Sequence, residues 1–180
     1  MIKADRIKIV DSPPECTQIV RFYDLAVTKS SRNDWTAGVK LGMTPKNEPV
    51  ILDLLHIQEE IPDVHEAIYL KALADGPEVP IRLEADRAGI VELQYILRDP
   101  RFNRYALDSE PPVGDKVVRA GAFAARVNAG IVYMVRAPWN HELLEEFRMF
   151  PVGAHDDIVD AASGAYRMID QEGMLDWDVV

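Results

Sequence analysis

Ile19-Val20-Arg21-Phe22-Tyr23-Asp24 is a short apolar and aromatic run that ends on a carboxylate. Its β-branched and aromatic residues favour a strand, and the polar stretch 27–34 that follows Leu25-Ala26 predicts a loop. A strand of this kind carries Asp24 to its end at the rim of a loop. That is a rigid mounting for a metal ligand, or a plain turn cap. Two later stretches favour the mounting: Ile81-Arg82-Leu83-Glu84-Ala85-Asp86 and His155-Asp156-Asp157-Ile158-Val159-Asp160. Acidic clusters on three separate elements are harder to explain as caps than one.

Working outward from this strand, Ile7-Lys8-Ile9-Val10 before it alternates, then meets Asp11-Ser12-Pro13-Pro14; it is either an edge strand or a lead-in. Downstream, 35–41 and 50–57 are apolar runs separated by the turn residues of Thr44-Pro45-Lys46-Asn47-Glu48. Three successive strands with short polar connections predict an antiparallel meander. The period then becomes helical after Pro62-Asp63, with Val64, Ile68 and Leu70 to Ala74, and Gly76-Pro77 ends that helix. The strand 81–86 follows, and Gly89 opens a helix with Ile90, Leu93, Ile96 and Leu97 on one side. A short strand at 105–107, a helix 116–128 capped by Asp115, a strand 131–135, a helix from Asn140 to Arg148 and a last helix at 156–169 complete the chain. The order β-β-β-α-β-α-β-α-β-α-α describes an α/β fold: a mixed sheet, three-strand antiparallel meander plus parallel strands, with helices on both faces. A helical crossover makes the Glu84 strand parallel to the Asp24 strand. As neighbours, the two bring their carboxylates to one sheet edge, where open α/β sheets bind ligands.

Composition narrows the function. The 180 residues suffice for one domain with its own core, and 48% hydrophobic content is that of a globular chain. A single cysteine, Cys16, allows no internal disulfide, and no apolar run approaches the ~20 residues that span a bilayer. We expect a soluble intracellular protein with no membrane partner. The net charge of -10 argues against a generic nucleic-acid binder, although carboxylates gathered around cations are largely offset once the metal is bound. The chain contains no phosphate-cradling GxxxxGK[ST] loop, no GxSxG elbow and no GxGxxG turn.

Side chains alternate along a strand, so Arg82, Glu84 and Asp86 share one face while Ile81, Leu83 and Ala85 share the other. Charge on a face between helices needs a metal, a salt bridge or water. In the last helix Asp157, Ala161, Gly164, Ala165 and Met168 form a stripe of mostly small residues that lets the helix lie close to the sheet, with Asp157 at its edge. His155 is a proton carrier or a surface hydrogen-bonding residue. Carboxylate oxygens suit Mg²⁺ or Mn²⁺, and two such ions ~4 Å apart can drive phosphodiester cleavage. Four histidines and one cysteine are too few for a zinc site built mainly from histidine and cysteine. Lys116, Arg119 and Arg126 share a side of their helix, as a phosphate-tracking stripe or a solvated face.

With these residues in place the chain resembles the nuclease domain of phage terminase large subunits, which has a ribonuclease H-like fold. The resemblance rests on Phe22-Tyr23-Asp24-Leu25-Ala26, Leu83-Glu84-Ala85-Asp86-Arg87-Ala88-Gly89, Gly114-Asp115-Lys116-Val117-Val118-Arg119-Ala120, Phe150-Pro151-Val152-Gly153 and His155-Asp156-Asp157-Ile158-Val159-Asp160-Ala161, in that order. It implies a two-metal-ion endonuclease, using Mg²⁺ or Mn²⁺, that cuts double-stranded DNA during genome packaging in the cytoplasm of the host cell. The implied catalytic and metal triad is Asp24, Glu84 and Asp157, with Asp86 and Asp156 as alternates. It also implies DNA contacts from Lys116, Arg119 and Arg126, and partners in a terminase ATPase domain, a small subunit and a portal protein. The expected organisation is a lead-in over 1–18, the nuclease domain over 19–170 and an acidic tail over 171–180. The ATPase domain of the family lies outside this chain, which suits an excised domain or a native short protein. The competing readings are a resolvase- or transposase-like nuclease of the same fold and a non-catalytic docking domain of a packaging motor.

Overall fold

The computed structural model describes residues 1–25, 35–85, 90–112 and 114–175. Strands β1 (Lys8–Val10), β2 (Gln18–Leu25), β3 (Thr36–Met43), β4 (Pro49–Ile57), β5 (Ile81–Ala85), β6 (Leu107–Glu110) and β7 (Tyr133–Val135) form one sheet in the order β1-β7-β4-β3-β2-β5-β6. The meander β2-β3-β4 is antiparallel, while β5 pairs with β2, β6 with β5, β7 with β4 and β1 with β7 in parallel. The expected mixed sheet is therefore present, and 7–10 supplies an edge strand. Helices α1 (Ile61–Asp75) and α2 (Ile90–Arg98) pack on one face; α3 (Lys116–Asn128), α4 (Asn140–Met149) and α5 (Asp157–Leu175) pack on the other.

Alternation along β2 explains both layers. Val20 and Phe22 enter the core beneath α3, α4 and α5, whereas Tyr23 and Leu25 enter the core beneath α1 and α2. Arg21, fully buried in this apolar run, points with Tyr23 toward α1 and pairs with Asp75 and, at 2.8 Å, with Asp53. Its charge is thus compensated within the fold, as burial demands. On the opposite face, the rings of Phe123, Phe147 and Tyr166 pack α3, α4 and α5 together at centroid separations of 6.1 and 5.7 Å.

The stripe of small residues does bring α5 onto the sheet. Ala161, Ala165 and Met168 are buried, and a Cβ built on Gly164 would lie 2.3 Å from the Phe22 ring, so the helix backbone rests directly on that ring. Several boundaries differ from the sequence reading, among them β7, which begins at Tyr133 rather than 131, and two have a clear physical cause. Helix α5 continues past Ile169 to Leu175, since the polar but helix-favouring Gln171 and Glu172 follow. Strand β6 starts at Leu107 and reaches Glu110, because ion pairs to its neighbour make Asp108 and Glu110 acceptable strand residues; Arg82 of β5 bonds Asp108 at 2.8 Å. Among the described residues no helix is long and apolar enough to cross a membrane. The stretch 27–34, expected as a loop, and Asp86, Gly89 and Trp177 lie outside the described residues.

Candidate metal centre

The parallel pairing of β2 with β5 sets Asp24 directly opposite Glu84. Both occupy the face covered by α5, because their neighbours Tyr23, Leu25, Leu83 and Ala85 belong to the other core. Glu84 is only 3% exposed. Its carboxylate accepts hydrogen bonds from Arg119 of α3 and, at 3.5 Å, from Arg167 of α5. Arg167 also reaches Glu110 at 2.7 Å, and so ties β5, β6 and α5 together.

The first turn of α5 supplies the remaining acids. Asp157 opens the helix, and Asp160 follows one turn on. Asp160 Oδ1 is buried without a hydrogen bond among the described residues and lies 3.5 Å from Arg119 Nη2. Burial, then the charges of Asp160, Glu84 and Asp157, push the Asp24 carboxyl well above the ordinary carboxylate range, with Arg119 opposing. Burial likewise raises Asp160 to about 6, although Arg119 pulls it down. Burial and the neighbouring Asp156 raise Asp157. Carboxylates that resist sharing one negative site, with the guanidinium of Arg119 among them and that of Arg167 at the edge, form an oxygen-rich set that fits a hard divalent cation.

The basic residues of α3 are drawn into this centre to different degrees. Arg119 lies inside it, and the Glu84 bond holds its guanidinium charged against the cost of burial. Lys116 pairs with Asp156, which turns that carboxylate toward α3. Arg126 lies farther along α3, donating to Tyr166 Oη at 2.8 Å rather than meeting the acids. His155 is half-exposed, with Nδ1 3.9 Å from Asp157 Oδ2. The structure thus brings Asp24, Glu84, Asp157, Asp160, Arg119 and, through Asp156, Lys116 to one place.

The sequence model of the Terminase RNaseH-like domain family matches residues 21–169, a span that includes every one of these acids. The chain belongs to this family. Solved structures carry the same fold at low identity. The human cytomegalovirus terminase nuclease domain superposes with a TM-score of 0.68 at 15% identity, covering 89% of this chain and 86% of that one. The large terminase nuclease from thermophilic phage G20c, solved with bound zinc, gives 0.59 at 15% identity over 91% and 95% of the two chains. A mutant nuclease domain of the large terminase subunit of bacterial virus Sf6, solved with manganese and beta-thujaplicinol, gives 0.60 at 10% identity over 83% and 88%. No curated protein matches the chain. The fold of this terminase domain is ribonuclease H-like.

A second group of donors in the terminase domain adjoins the first. His56 at the end of β4, Glu146 on α4 and Asp157 offer ligand atoms that all lie within 4.8 Å of one another. Glu146 also caps α5, accepting from the backbone N–H of Ile158 at 2.7 Å and of Val159 at 3.0 Å. Burial raises its carboxyl to about 7 despite those bonds, helped by Asp157 and Asp156. Sequence reasoning placed Asp160 in the acidic stretch 155–160 without giving it a role, and passed over His56 and Glu146 as ligands. The signal for Asp160 was its place three residues after Asp157 on the same helix; His56 and Glu146 carry no comparable local pattern.

These elevated carboxyls predict how metal-free stability depends on pH. In the window between the unfolded values near 4 and the folded values of about 6 for Asp160 and about 7 for Glu146, the folded domain keeps protons that the unfolded chain has released. Stability is therefore highest at the acid side of this window and falls as pH rises through it, by on the order of 2 kcal/mol per group. Asp53 and Asp99, held low by their partners, act in the opposite sense and at lower pH, leaving the window clear. Thermal melts in chelator from pH 5 to 8 should show a falling midpoint, with a shallower fall for Glu146→Gln. A midpoint that climbs across that range would contradict the assignment.

Proposed function

We propose that this terminase domain is a metal-dependent endonuclease that cuts double-stranded DNA during viral genome packaging. The supporting observation is the register pairing of Asp24 with Glu84 beneath the first turn of α5, where Asp157 and Asp160 add their charges to an already raised Asp24. Asp24, Glu84 and Asp157 would hold the cations, with Asp160 as a further oxygen donor and Asp156 as an alternate. Asp86 shares the alternation of Glu84 by sequence. Two divalent ions, Mg²⁺ or Mn²⁺, would supply activation of the attacking water and stabilisation of the leaving oxygen. Arg119 fixes the Glu84 carboxylate in one orientation and offsets part of the acidic charge before metal binds. His155, half-exposed beside Asp157, is placed to accept or return a proton at the rim.

Phosphate contacts fall first to Lys116, whose side chain is 51% exposed and can exchange Asp156 for a DNA phosphate. Arg119 and Arg126 extend the same helix face inward and away. With a net charge of -10 the isolated chain has little long-range attraction for a polyanion, so an ATPase domain, small subunit and portal would deliver the DNA. Supercoiled plasmid should accordingly be nicked and linearised in Mn²⁺ or Mg²⁺ at low salt, remain intact in chelator, and be cut far less at ~0.15 M salt, where screening acts within about 8 Å. A chain that leaves plasmid intact with either metal at every salt concentration would instead be a docking module.

A further inference from the structure

We propose that His56, Glu146 and Asp157 form a second cation site of different chemistry, one that takes a first-row transition ion such as Mn²⁺, Co²⁺ or Zn²⁺ in preference to Mg²⁺. It shares Asp157 with the oxygen-only centre, and its part in cleavage rests on the nuclease reading above; its ability to bind an ion does not. The deciding group is His56. Its side chain is only 7% exposed, and Nδ1 lies 2.6 Å from Glu142 Oε1. A carboxylate at that position accepts, so Nδ1 carries a proton, and in the neutral imidazole Nε2 is then the nitrogen that presents a lone pair. That Nε2 is buried and has no hydrogen-bond partner among the described residues. The indole of Trp35 stacks on the imidazole at 4.3 Å with planes 24° apart, which fixes the direction of the lone pair.

A buried, oriented imidazole nitrogen with its other nitrogen held by a carboxylate is the usual outer arrangement of a histidine metal ligand. The other two donors are equally constrained. Glu142 and Glu146 lie one turn apart on α4, so the helix that anchors the far side of the ring also supplies a ligand. One oxygen of Glu146 is fixed by the Ile158 and Val159 amides, leaving its other oxygen to the cluster. Bonds of about 2.0 to 2.2 Å put three ligand atoms around one ion about 3.3 to 3.8 Å apart, so a spread within 4.8 Å closes onto an ion by side-chain shifts of up to about 1 Å. One nitrogen and two carboxylates suit transition ions, whereas Mg²⁺ favours oxygen and water.

Imidazole ¹⁵N NMR of the whole chain, titrated with Zn²⁺, tests the site. Of the four histidines, the one whose signals vanish in His56→Gln should shift at Nε2 while keeping its Nδ1–H. His56→Gln should bind one Zn²⁺ fewer than wild type, and Glu142→Ala should bind at this site about 10- to 100-fold more weakly. Asp24→Asn should leave the His56 shift in place, which separates this site from the oxygen centre. A His56 Nε2 signal that stays still under saturating Zn²⁺, or a His56→Gln chain with wild-type stoichiometry, overturns the proposal. Mg²⁺-dependent plasmid cleavage in either of those cases would leave the nuclease reading standing.

Discussion

Asp24→Asn is expected to reduce cleavage to background while leaving the metal-free fold at least as stable as wild type. The amide keeps the shape of the side chain but removes the negative charge a divalent cation requires. Metal affinity should fall by at least about a hundredfold, beyond what loss of an outer partner costs. The stability side is the more diagnostic. Asp24 sits where burial and the charges of Asp160, Glu84 and Asp157 already disfavour its ionised form. Neutralising it relieves that repulsion, so the melting midpoint in chelator should hold or rise near neutral pH. Wild-type protein should gain stability on adding Mn²⁺ because the ion binds only the folded state, and the variant should gain much less. Wild-type nicking rates from the variant in saturating Mn²⁺, with a matched melting curve, would remove Asp24 from the centre.

Gly164→Ala carries the second large expectation. Two effects compete. Alanine improves helix propensity by about 1 kcal/mol over glycine. Against it, the added Cβ would lie 2.3 Å from Phe22 Cε1 and 2.5 Å from two more atoms of that ring. Phe22 is itself buried at 1% exposure, so neither the ring nor the helix backbone has space to yield. Overpacking of this kind costs about 1–3 kcal/mol, and the direct clash with a ring places it at the upper end. The clash should win, with a net loss of on the order of 2 kcal/mol in urea unfolding. Activity should suffer as well, because lifting α5 moves Asp157 and Asp160 away from Asp24, two residues beyond Phe22 on β2. Adding Phe22→Leu should recover much of the stability, a coupling that a double-mutant cycle measures directly. A Gly164→Ala chain as stable as wild type would mean that α5 does not rest on this ring.

Both expectations trace to patterns visible along the chain. The aromatic run ending on Asp24, the alternation of Arg82 and Glu84 against Ile81, Leu83 and Ala85, and the small-residue stripe of α5 are local periodicities. Strand and helix geometry turn them into faces whatever the rest of the chain does. They were enough to anticipate a mixed sheet with Asp24 and Glu84 at a common edge. What they could not carry is which long side chain meets which distant partner. Arg119, legible only as part of a basic stripe, reaches Glu84 across 35 residues of sequence and becomes the counter-ion of the acidic centre. Lys116 turns to Asp156, and Asp157 and Asp160 act together on Asp24 only because α5 packs against β2. His56 and Glu142, 86 residues apart, meet because β4 ends beside α4. The residues that bear charge and the faces they share are thus properties of the sequence. Their pairing is a property of the tertiary structure, since a contact energy exists only once packing has removed the water between two groups and fixed their distance.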